Sequence, residues 1–197
     1  MNFFKKFLGL KKESSEEKKL ENIEVNLSLD DLFVHNFIQK GGKFLYCTKH
    51  QEIIDYLVSI LDENKWNSLT CLKQDFFAKY TDYLSTEITN DTNLKNAFLT
   101  DCEYLISQNG NILFSSNQLQ GNKLNNLTGD FIVVANTSQI VRNMGESLTG
   151  IKSKHKENIP SNISSIRNYN RSKDEDNFIS SENSNSKNTY LILFEDL

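Results

Sequence analysis

The chain reads as one α/β domain, a three-layer α/β/α arrangement around a mostly parallel sheet with helices on both faces. Three observations predict this. Apolar stripes at helical spacing alternate with short apolar runs from Leu27 to about Ile151, the pattern of successive βα units. Phe131–Ala135 (FIVVA) is a continuous apolar run of strand length, which suits a central strand covered on both sides. Asn136-Thr137-Ser138 follows at once with helix-cap chemistry, predicting a helix from near Gln139.

Taken in order, residues 1–22 stand apart from a single domain over residues 23–197. The first segment begins with Phe3, Phe4, Phe7 and Leu8 at helical spacing among Lys5 and Lys6, and continues into a Ser/Glu/Lys run too polar to build a core. Ser28 and Asp31 form a capping-box-like start. Leu32, Phe33, Val34, Phe37 and Ile38 then give a helical stripe that stops at Gly41-Gly42. Lys43–Cys47 reads as the first strand, and Ile53, Ile54, Leu57, Val58, Ile60 and Leu61 as the next helix face, with Trp66 over its end. Ser68–Leu72 reads as a second strand, Phe76, Phe77, Tyr80 and Leu84 as a short helix, and Ala97-Phe98-Leu99 as a return to the sheet.

Beyond Asp101 the order changes. Cys102–Ser107 and Asn111–Ser116 are apolar runs around the turn signal Gln108-Asn109-Gly110, predicting a hairpin. After the FIVVA strand, Gln139, Ile140, Met144 and Leu148 suggest a helix reaching Thr149-Gly150. Asn162–Arg167 suits a short edge strand, Arg171–Asn188 a mobile loop rich in Ser, Asn and charge, and Thr189–Phe194 a final buried strand.

Composition narrows the function classes. A net charge of −4 and a pI near 5.5 argue against a general nucleic-acid binder. No apolar run approaches membrane-spanning length and no signal peptide is visible, so a cytoplasmic setting is expected. The three cysteines are far apart, which predicts neither a disulfide framework nor an iron–sulphur cluster. His35, His50 and His155 are scattered, which predicts no metal site and no cofactor of that kind. Abundant Asn, Lys and Ile with a single Pro suits an AT-rich bacterial genome.

CEYLI, SQNGNILFSS and FIVVANTSQIV resemble the LUD (lactate-utilisation) domain family, the LutC-like proteins, over roughly Phe37 to Ile140. The resemblance implies the three-layer fold shared by sugar-phosphate isomerases and CoA transferases. In CoA transferases of that fold, a Glu before Asn-Gly is the nucleophile that takes the acyl group. The matching position here is Gln108, whose amide cannot form an acyl anhydride, so covalent CoA transfer is not expected and no catalytic residue is assigned. The family's Gly-Pro-Ser and Thr-Ala-Asp-Ile-Glu segment also has no clear counterpart in SSIRNYNRSKDEDNFISSENSNSKNTYLILFEDL, Ser164 to Leu197. This departure favours a non-catalytic ligand-binding or accessory protein. The alternatives are an enzyme or subunit of lactate or organic-acid oxidation, and a membrane-peripheral interaction protein.

Two places are candidate ligand contacts. Gln108, Asn109 and Gly110 form either a plain turn or a retained non-covalent contact. Thr137, Ser138 and Gln139, with Lys123 from the preceding loop, form either a plain cap or a seat for an anion: phosphate, carboxylate or a CoA-like molecule. Phe3, Phe4, Lys5, Lys6, Phe7 and Leu8 are candidates for weak contact with an anionic inner-membrane surface, the alternative being docking on the domain itself.

Overall fold

The computed structural model describes residues 27–94, 96–169 and 186–196. Helix α1 (Leu29–Gln39) begins where the sequence places it, with Ser28 Oγ accepting from the Asp31 backbone N–H at 3.2 Å. Strand β1 (Lys43–Cys47), helix α2 (His50–Asn64), strand β2 (Ser68–Thr70), helix α3 (Gln74–Thr81), strand β3 (Glu87–Thr89) and strand β4 (Ala97–Thr100) follow. A hairpin of β5 (Tyr104–Ile106) and β6 (Asn111–Ser115) leads through the single-turn helix α4 (Ser116–Leu119) to β7 (Asp130–Asn136). The chain then runs through β8 (Ile140–Val141), α5 (Met144–Lys154), β9 (Ile163–Ile166) and β10 (Asn188–Phe194).

Six strands form the main sheet in the order β1-β10-β7-β4-β2-β3, and every neighbouring pair is parallel. Alternation explains why β7 and β10 read as unbroken apolar runs. Phe131, Val133 and Ala135, with Leu191 and Leu193, join the core under α1. Ile132 and Val134, with Tyr190 and Ile192, join the core under α2 and α3. Both faces are covered, so both alternate sets of positions along these strands are mostly apolar. Beta-strand β3 escapes sequence reading because three residues, Glu87-Ile88-Thr89, give no periodicity; it is the sheet edge beside β2.

A second sheet, β8-β5-β6-β9, shares one covered face with α1. Leu105, Ile112 and Phe114 point into the main core, while Ile106 and Leu113 pack against Ile151 of α5. The hairpin is antiparallel, as its turn predicts, but it belongs to this smaller sheet. Within the segment Asn162–Arg167, β9 (Ile163–Ile166) is the edge strand, paired with β6.

One expectation is corrected. No helix begins at Gln139: Asn136-Thr137-Ser138 caps only a 3-10 turn, Thr137–Gln139. Ile140 and Val141 then pair in parallel with Leu105 and Ile106. Two β-branched residues with a strand edge available gain a ladder that the helix would deny them. The helix starts at Met144, five residues beyond Gln139, where Asn143 Oδ1 accepts from the Glu146 N–H at 3.0 Å. The N-terminal contact residues, and most of the loop expected over Arg171–Asn188, lie outside the described residues.

Candidate ligand-binding cleft

In a parallel sheet every strand ends on the same side, and helices begin there, so polar side chains gather at that edge. The ends of β4, β7 and β10 meet the start of α2, the body of α3 and the end of α5 around a cleft of about 440 Å³. His50 and Phe194 form one wall, their rings stacked at 4.5 Å between centroids and 9° between planes. Tyr80 joins them through its hydroxyl, 3.1 Å from His50 Nδ1. Phe76 stands at the mouth, 48% exposed.

Lys79, Lys154 and Asp101 supply formal charge to the lining. Asp101 is neutralised by Lys73, whose Nζ donates to Oδ2 at 2.6 Å, and Lys154 is paired with Glu103, leaving Lys79 as the lining lysine with no carboxylate partner among the described residues. The second oxygen of Asp101, Oδ1, is buried without a hydrogen-bond partner. Lys154 is itself held from behind. Glu103 lies fully buried beneath it, with Oε2 3.4 Å from both Lys154 Nζ and His155 Nε2. Its other oxygen accepts from Ser115 Oγ at 2.6 Å and Gln118 Nε2 at 3.1 Å. Burial pushes the Glu103 carboxyl upward, but the donors Ser115 and Gln118, with Lys154 and His155, more than offset it and hold the group below its ordinary value.

Of the residues singled out from sequence, Ser138 and Gln139 line this cleft. Their donors are already engaged inside the chain. Asp196 Oδ1 accepts from the Ser138 N–H and from Thr137 Oγ1, both at 2.9 Å, and its Oδ2 accepts from Ser138 Oγ at 2.6 Å. The donors expected to face an anion at this turn are taken up by the chain's own carboxylate, Asp196. Burial raises the Asp196 carboxyl, and hydrogen bonds from Ser138 and Thr137 bring it below its ordinary value. Gln139 spans the strand ends, accepting from the Asn136 N–H at 2.7 Å and donating to the Cys102 carbonyl at 2.6 Å. Lys123 is exposed in the loop before β7 and does not line the cleft.

Gln108, Asn109 and Gly110 are likewise outside its lining, at the hairpin tip against α1. The Asn109 carbonyl accepts from Lys40 Nζ, and the Gly110 carbonyl accepts from the Tyr169 hydroxyl at 2.6 Å. The Gln108 side chain is exposed, while its backbone N–H donates to the Arg142 carbonyl at 3.0 Å. These bonds give the turn a structural task. His50, Lys79, Tyr80, Asp101 and Lys154 escaped sequence reading because they are spread over a hundred residues with no fixed spacing. The usable signal was positional: Asp101 ends an apolar run and His50 opens a helix after a strand.

Cys102 lines the cleft floor, and all three cysteines are buried as free thiols. Burial pushes Cys47 up to about 12 and Cys71 up to about 11, and it drives Cys102 well above its ordinary value. Iodoacetamide at pH 8 is therefore expected to leave the native protein unmodified by intact mass and to label three sites after denaturation; rapid labelling of native protein would contradict this burial. Among the described residues no group of three His, Cys, Asp or Glu side chains is placed to hold a metal ion, and no helix is long and apolar enough to cross a membrane.

Comparison with known proteins agrees with the architecture. The family model for the LUD domain matches residues 31–194. A crystal structure of a DUF162 family protein from Deinococcus radiodurans superposes with a TM-score of 0.57 at 15% identity, covering 86% of this chain and 99% of that one. That likeness concerns the fold. No curated protein matches in sequence.

Proposed function

Because the chain belongs to the LUD domain family, we propose that it is a small-ligand-binding or accessory member of that family, related to lactate utilisation, which holds an anionic molecule in the cleft at the carboxyl edge of the sheet. One observation carries the reading: Lys79 and Lys154 reach the same 440 Å³ cleft from two helices, Lys79 without a carboxylate partner among the described residues and Lys154 held by Glu103 at 3.4 Å, with Asp101 matched by Lys73. Helix α5 contributes Lys154 and helix α3 contributes Lys79, so the cationic character depends on the assembled fold. The phosphate, carboxylate or CoA-like ligand expected from sequence fits this charge. Gln108 supports binding over acyl transfer, since an amide side chain offers no carboxylate nucleophile.

Titration calorimetry with organic acids, sugar phosphates and CoA esters tests the proposal, with a thermal-shift screen to select among them. A bound anion should lose about tenfold or more in affinity in Lys79→Ala or Lys154→Ala, since a hydrogen bond to a charged group contributes about 1.5–3 kcal/mol. Affinity unchanged in both variants would place the ligand elsewhere and end this reading.

A further inference from the structure

Resting on the ligand reading above, we propose that the cleft selects a planar, conjugated anion, of which an aromatic carboxylate is the simplest form. Four of its lining side chains are rings: His50, Phe76, Tyr80 and Phe194. They are not scattered. His50 stacks on Phe194 with nearly parallel planes, and Tyr80 is tied to the His50 ring nitrogen, so three rings from α2, α3 and β10 form one braced wall. A flat ligand face meets such a wall in offset or edge contact without reorganising it, whereas a puckered aliphatic body touches it at fewer atoms.

The cations sit beside the rings. Lys79 Nζ is 4.8 Å from the centre of the Tyr80 ring and 5.6 Å from that of Phe76. A carboxylate bound by Lys79 therefore brings whatever it is attached to against aromatic surface. Lys154 lines the same space with its ammonium paired to the buried Glu103, adding a hydrogen-bond donor with a defined location rather than a second unmatched charge. Phe76 is the remaining ring, half exposed at a mouth otherwise edged by polar groups. A cleft of about 440 Å³ suits a compact ligand of one or two rings.

The test is a matched pair of probes that share charge and differ in planarity: benzoate and cyclohexanecarboxylate, titrated into the full chain and read by calorimetry, with lactate and inorganic phosphate alongside. Benzoate is expected to bind about tenfold more tightly than cyclohexanecarboxylate, and His50→Ala, which takes one exposed ring out of the wall, is expected to reduce that preference. Lys154→Gln should weaken both probes by the same factor. Equal affinity for the two carboxylates, or tighter binding of lactate, would overturn the planar class while leaving an anion site in place. A preference that survives His50→Ala unchanged would overturn the ring contact. Absence of binding by every anion in the set would overturn the class and the ligand reading together.

Discussion

Gly110→Val is expected to lower the melting temperature by roughly 6–12 °C, the equivalent of about 3 kcal/mol in a domain of this size. Gly110 has φ of +64°, where an L residue pays about 1–2 kcal/mol, and more if β-branched. Its surroundings add to this. A Cβ at this position would lie 2.6 Å from the Phe37 backbone nitrogen and 2.7 Å from the Asn36 carbonyl carbon. Those atoms belong to α1 and cannot rotate away, so overpacking contributes about 1–3 kcal/mol more. Gly110→Asn separates the two causes. Asn accepts the left-handed backbone, so a large loss in Asn as well assigns the effect to crowding against the helix. A variant as stable as the parent would show that the hairpin tip does not press on α1.

Glu103→Ala is the second large effect, with an expected loss of about 3 kcal/mol at neutral pH, because hydrogen bonds to a buried charged group contribute about 1.5–3 kcal/mol each and the Ala variant removes those from Ser115 and Gln118, leaving Gln118 Nε2 without its acceptor. The pH dependence gives a sharper signature. The folded-state pKa of Glu103 lies below its ordinary value of 4.5, so its stabilisation is complete above about pH 4.5 and is lost as the pH falls through the lower folded value. Parent and Glu103→Ala should therefore differ most near neutrality and converge in acid. Asp196 is shifted in the same direction, so the variant keeps part of the acid limb. Denaturant titrations between pH 3 and 7 check both points. A difference that stays constant across that range would mean that Glu103 is not held ionised by its partners.

Much of the fold was legible because its signals are local. Phe131–Ala135 and Thr189–Phe194 announce two-sided burial by composition alone, and they are the adjacent central strands β7 and β10. Ser28 and the Gly41-Gly42 stop bracket α1 through backbone chemistry that depends on a few neighbours. The misplaced helix start at Gln139 shows the boundary of this legibility. Cap chemistry was present and produced a turn, but the partner that drew Ile140-Val141 into a strand lies 35 residues upstream, at Leu105-Ile106.

For the site the division falls differently. By itself the sequence determined an α/β chain with a glycine-dependent hairpin and a strand passing into polar caps. These are properties of residue types and of spacings shorter than one element. Only the tertiary structure decided that the cap donors face Asp196, that the hairpin tip belongs to α1, and that His50, Tyr80, Lys79, Lys154 and Phe194 meet at one sheet edge. The physical reason is parallel topology. Each strand returns to the same edge only after a crossover, so the groups that share a cleft are separated along the chain by whole helices, and no local period records their meeting.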